Sequence, residues 1–122
     1  MPISDPDGLR PGTVVVVPFP YSDRLAEKRR PAVVISGSTV ADAGFVWIAM
    51  VTSARNPTKT GDLPIDDIAH AGLKTASVVR PVKIACIEQE RVLKRIGDLP
   101  PDAAERLCGR IRDMVGTSRS LS

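Results

Sequence analysis

The chain reads as a mainly β domain, a small half-open barrel closed by one C-terminal helix. Three observations predict it. Short runs of β-branched and apolar residues recur from Thr13 to Ile96. Long polar segments punctuated by Pro and Gly separate them. After Pro100-Pro101 the apolar period changes from that of a strand to that of a helix. A half-open barrel with a helical cap fits this order better than a sandwich.

Residues 1–12, rich in Pro, Asp and Gly, read as a loose N-terminal arm ending in the Pro11-Gly12 turn signal. Thr13-Val14-Val15-Val16-Val17 is a buried strand, stopped by Pro18-Phe19-Pro20 because proline cannot donate to a sheet ladder. Tyr21 to Arg30 is a charged surface loop. Pro31 to Ser36 is the second strand, and Gly37 to Gly44 a turn region. Phe45 to Val51, the most apolar stretch, is the third strand. Thr52 to Asp62 is a second polar, basic loop. Leu63-Pro64-Ile65 suits a short edge strand, where proline is tolerated. Ser77 to Ile87 is a strand region bent at Pro81, and Val92 to Ile96 a last short strand. Ala104, Leu107, Cys108, Ile111, Met114 and Val115 then form one stripe of an amphipathic helix. The single domain spans 13–116, and 117–122 reads as a disordered tail.

With 122 residues, 43% of them hydrophobic and 25% charged, the chain suits one soluble domain with a real core. Cys86 and Cys108 read as small buried hydrophobes rather than a disulfide framework. The N-terminus carries no apolar stretch like that of a signal peptide, and no segment is long and apolar enough for a membrane span, so the expected compartment is the cytoplasm. The net charge of +3 and pI of about 9.2 favour a polyanionic partner only mildly.

Most catalytic constellations are missing from the sequence. The one histidine, His70, rules out a histidine pair within a chain and reads as a surface residue. No cluster has metal-ligand spacing, and no glycine-rich phosphate loop follows a strand, so neither a metal nor a nucleotide cofactor is expected. The adjacent Asp66 and Asp67 point to opposite faces of an extended chain. Two basic loops at strand ends remain. The first carries Lys28, Arg29 and Arg30, and Pro31 holds Arg30 extended, where its fork can take a phosphate through two hydrogen bonds. A solvated basic turn is the simpler local reading. The second carries Thr52 and Ser53, whose hydroxyls can donate to phosphate, followed by Arg55 and Lys59.

Taken together, these blocks resemble the MazF/PemK toxin family. Pro11 to Asp23 followed by Lys28-Arg29-Arg30-Pro31-Ala32-Val33-Val34-Ile35-Ser36 is similar to the family's opening. Ile48 to Ser53 is similar to the strand that delivers its threonine. Gly72-Leu73, Ser77 to Ile84, Arg95 to Leu99 and the helix complete a match over about residues 11–116. The resemblance implies an SH3-like barrel, a homodimer, and cleavage of single-stranded RNA at short motifs. It also implies neutralisation by a cognate antitoxin whose disordered tail covers the active groove. It assigns catalysis to Arg30 and Thr52. Val82 stands before Lys83 where many relatives have Gln, which bears on base reading rather than chemistry. No acidic residue transfers, although Asp23 and Glu27 are available.

These assignments suit metal-independent cleavage in which the RNA's own 2′-hydroxyl attacks, leaving 2′,3′-cyclic phosphate and 5′-hydroxyl ends. Arg30 and Thr52, with Ser53 as a further donor, would meet the charge on the phosphate. Lys28, Arg29, Arg55, Lys59 and Lys83 would hold the RNA, and Phe19 or Tyr21 would stack a base. Three rival readings stand beside this one: a non-catalytic CcdB-like gyrase poison, an inactive antitoxin-binding regulator, and a plain SH3-like interaction domain.

Overall fold

Valine and isoleucine runs become strands here because their branched side chains are stiff and pack well on a pleated surface. The structure, a computed structural model, describes residues 9–18, 28–116 and 118. Six strands form one antiparallel sheet: β1 (Thr13–Pro18), β2 (Arg29–Val34), β3 (Phe45–Ser53), β4 (Leu63–Pro64), β5 (Ser77–Glu88) and β6 (Lys94–Asp98). Their order across the sheet is β4-β5-β3-β2-β1-β6. The sheet curls into a half-barrel, and a C-terminal helix (Pro101–Met114) closes it. The expected fold class is thus the observed one.

Several boundaries move. β2 starts at Arg29 rather than Pro31, because Arg29 and Arg30 pair with Pro18 and Val17 of β1. β3 runs on through Thr52 and Ser53, which pair with Val78 and Ser77. The expected turn at 37–44 contains a one-turn helix, α1 (Ser38–Asp42), held by local backbone hydrogen bonds such as Ala41 N–H to the Gly37 carbonyl. The C-terminal helix is therefore α2. A 3-10 turn (Gln89–Arg91) separates β5 from β6. The expected arm is described only from Leu9, which is buried, and Gly12 donates its N–H to the Val34 carbonyl at 2.8 Å. Most of the expected tail and residues 1–8 lie outside the described residues.

The two faces of the sheet bury different cores. Val15, Val17, Ala32, Val34, Val46, Ile48 and Ile87 form one. Val14, Val33, Ala49, Val51, Val79 and Leu107 form the other, on the face that α2 covers. Leu107 is fully buried, with Ala104 and Ile111 packed beside it, as the helical stripe predicts. The alternation explains how a β-branched run serves both cores. At Gly72, with φ +77°, an added Cβ would collide with the Ile96 carbonyl, so the turn at 70–72 closes onto β6 only with glycine there.

The apolar face is larger than α2 can cover. Phe45, Trp47 and Ile84 point to the helix side but are exposed, Trp47 at 46%. Cys86, paired across from Trp47, is exposed with them, which corrects the expectation that it is buried. Cys108 is half-buried on α2, and burial pushes its thiol pKa up. Among the described residues, no helix is long and apolar enough to cross a membrane.

Candidate active site

The ladder between β2 and β3 pairs Ala32 with Met50, Val33 with Ala49 and Val34 with Ile48. The ladder stops at Ala32 and Met50; continued by two residues, the same register would set Arg30 across from Thr52. Residues opposite one another in an antiparallel pair share a face. Ala32, Val34 and Ile48 belong to the core not covered by α2, and Met50 packs against it. Arg30 and Thr52 therefore emerge from that face at the open end of the sheet, Arg30 exposed and Thr52 half-buried. Two residues that the sequence singled out in separate loops thus lie on one face at the same end of β2 and β3.

Other candidates are placed differently. Ser53 follows Thr52 along β3 and so starts from the opposite face. Its Oγ accepts the Arg55 N–H at 3.2 Å, which fixes the start of the loop. Arg29 alternates with Arg30 in the same way, while Lys28 lies just before the strand; both are exposed. Lys83 is exposed in a bulge of β5, where the register jumps from Ala49↔Ile84 to Met50↔Arg80. That bulge lies beside Met50, two residues from Thr52. Arg55 and Lys59 are exposed on the loop that follows Thr52. Phe19 and Tyr21 lie outside the described residues, as do Asp23 and Glu27.

The loop from Ala54 to Asp62 is firmly tied beside the site. Arg80 on β5 grips Asp62 with two hydrogen bonds, Nε to Oδ1 and Nη2 to Oδ2, each 3.1 Å. The same Nη2 donates to the Pro57 carbonyl at 2.8 Å. Lys59 N–H adds a bond to Asp62 Oδ2, and Arg110 of α2 reaches the Gly61 carbonyl at 3.0 Å. Burial pushes the Asp62 carboxyl up, but the bonds from Arg80 and Lys59 and the charge of Arg80 outweigh it and leave the pKa below its ordinary value. Both side chains are largely shielded from solvent in a part-buried ion pair.

Sequence reasoning placed Arg80 in a strand and gave it no partner, because Asp62 is 18 residues away. It also passed over Asn56, whose Nδ2 donates to Thr52 Oγ1 at 2.5 Å. The available signal was local: an Asn before a proline, four residues after the threonine. Elsewhere, His70 is exposed, and its N–H is held by Asp67 Oδ1 at 3.0 Å in a turn.

Residues 10–115 match the model of the PemK-like, MazF-like toxins of type II toxin–antitoxin systems. Among curated protein sequences none matches the chain significantly. Several solved structures share the fold. The Mycobacterium tuberculosis toxin MazF-mt6 has 20% identity and a TM-score of 0.65, over 83% of this chain and 93% of that one. A MazE–MazF complex from Deinococcus radiodurans has 22% identity and a TM-score of 0.65, over 89% and 96%. An endoribonuclease in complex with its cognate antitoxin, from Mycobacterial species, has 11% identity and a TM-score of 0.63, over 88% and 92%.

Proposed function

The chain belongs to the PemK-like, MazF-like toxins of type II toxin–antitoxin systems, and on that premise we propose that it is a metal-independent endoribonuclease acting on single-stranded RNA in the cytoplasm. The observation that supports the reading is the β2–β3 register, which, continued two residues past Ala32 and Met50, would set Arg30 across from Thr52.

In the proposed reaction the 2′-oxygen of a ribose bonds to the adjacent phosphorus and gives up its proton. The bond to the 5′-oxygen breaks, and that oxygen takes a proton. The products are a 2′,3′-cyclic phosphate and a 5′-hydroxyl. Charge rises on the non-bridging oxygens at the transition state, so fixed donors aimed there accelerate the step. Arg30 supplies a planar cationic fork and Thr52 a hydroxyl. A guanidinium carries its charge permanently and has no lone pair free to act as a base. Lys28, Arg29, Arg55, Lys59 and Lys83 hold the RNA backbone by charge.

A cognate antitoxin and a homodimer belong to the same proposal. Antitoxins accompany two of the similar structures named above. For the dimer, support comes from the apolar surface that α2 leaves bare, including Phe45, Trp47, Val82, Ile84 and Val115.

The test is cleavage of a long mixed-sequence RNA in EDTA by the wild type and by Arg30→Ala, with product ends mapped. The expected result is site-specific cuts ending in cyclic phosphate, reduced on the order of 100- to 1,000-fold in the variant. Intact RNA after exposure to folded wild type at high concentration would overturn the ribonuclease reading and bring gyrase poisoning or an inactive regulator forward.

A further inference from the structure

A threonine hydroxyl has one proton and two acceptor lone pairs, and its proton turns toward whichever acceptor is best. Left alone in water, the Thr52 hydroxyl would spread its proton over several directions. Asn56 removes part of that freedom. Its amide Nδ2 donates to Thr52 Oγ1 at 2.5 Å, so one lone pair is occupied by an N–H. A hydroxyl cannot also donate toward that N–H, so its proton is turned away from Asn56. Donation into the oxygen also polarises the O–H and makes it the stronger donor.

Asn56 can hold this position because its backbone is fixed on both sides. Its own N–H donates to the Ser53 carbonyl at 3.0 Å, closing the turn that begins at the end of β3. The carbonyl of the next residue, Pro57, is the one that Arg80 grips, and Arg80 is locked in turn to Asp62. A buried ion pair thus anchors the loop one residue beyond the amide that contacts Thr52.

We propose that Asn56 is a positioning residue, which orients the Thr52 hydroxyl so that its proton is presented to the scissile phosphate of the RNA. The inference rests on the ribonuclease reading of the same site. It assigns to Asn56 no contact with the RNA itself.

The test compares single-turnover cleavage by wild type, Asn56→Ala, Asn56→Asp, Thr52→Ala and the double variant Thr52→Ala/Asn56→Ala, each checked for folding by thermal melting. RNA affinity is read separately on an oligoribonucleotide of the mapped cut site with a 2′-deoxy sugar at the cleaved position. Asn56→Ala should slow cleavage about tenfold with affinity unchanged, the loss of one neutral hydrogen bond. Asn56→Asp, nearly the same in shape, should slow it more, on the order of a hundredfold, because a carboxylate accepts the Thr52 proton and withdraws a transition-state donor. In the Thr52→Ala background, Asn56→Ala should cost nothing further. Cleavage by Asn56→Ala at the wild-type rate, or an equal loss with and without the Thr52 hydroxyl, would overturn the proposal and leave the ribonuclease reading standing. Should Asn56→Ala not fold, Asn56→Asp decides alone: a wild-type rate overturns the proposal. Wild type that cleaves no RNA sinks both readings together.

Discussion

Arg30 and Arg80 each precede a proline within a strand of the same sheet, yet the fold uses them in opposite ways. Arg30 stands at an end of β2 where the ladder to β3 has stopped, and it is exposed. Arg80 sits across from Met50 within the β3–β5 ladder, 7% exposed, with its fork closed on Asp62 and the Pro57 carbonyl. The proline does the same local job in both places, holding the preceding residue extended. What differs is the neighbourhood. A loop passes over Arg80 and holds its guanidinium, whereas Arg30 is exposed at the start of β2. The difference separates a structural arginine from one available to meet a ligand, and it is a difference of topology rather than of residue type.

Removing each charge in turn should give contrasting losses. Arg80→Ala leaves Asp62 buried without its partner, which should cost about 3–5 kcal/mol in urea unfolding. Replacing both partners together, as in Arg80→Met with Asp62→Leu, should restore most of that stability, since no charge is then stranded. A double variant as unstable as the single one would show that the clamp's hydrogen bonds to the loop matter more than its charge balance.

Arg30→Ala should do the reverse. Unfolding stability should stay within about 0.5 kcal/mol, as for an exposed site. RNA cleavage should fall on the order of 100- to 1,000-fold, the usual cost of removing a preorganised transition-state donor. A large stability loss here would erase the contrast between the two arginines.

Acid titration sharpens the contrast further. Asp62 has a folded pKa below its ordinary value, so its contribution is fully present above the unfolded value of about 3.9 and disappears as pH falls through the lower folded one. Stability should therefore drop more steeply below about pH 4 in the wild type than in Asp62→Asn, as measured by urea unfolding at several pH values. Equal slopes would mean that Asp62 is not held as the geometry indicates.

The smallest effect belongs to the exposed loop. Arg55→Ala or Lys59→Ala should weaken binding to a single-stranded RNA modestly, reducing the slope of log affinity against log salt by about 0.7 for each phosphate no longer neutralised. An unchanged slope would assign these side chains to solvation alone.

Much of the fold was legible because its signals are local. Val14 to Val17, Ala32 to Val34 and Ile48 to Val51 announce strands through branched side chains, and Leu107 and Ile111 announce the helix face by spacing. The exposure of Cys86 and Trp47 was not legible. An apolar run shows that residues can be buried, but not how far a 14-residue helix reaches across the sheet behind it. The Arg80 clamp was hidden for a related reason, since its partner comes from another element. Asn56 was within reach of the sequence, but a contact between a strand end and the loop after it depends on how the loop folds back.

By itself, then, the sequence determined which segments extend, which coil, and that basic and hydroxyl groups crowd two strand ends. Those outcomes follow from steric preference and hydrophobic period, both properties of a few consecutive residues. Only the tertiary structure decided that Arg30 and Thr52 lie on one face at the same end of adjacent strands, that Arg80 is buried against Asp62, and that Asn56 turns back onto the Thr52 hydroxyl. Each of those depends on strand register or loop closure, which bring together residues distant in the chain and which no local preference specifies.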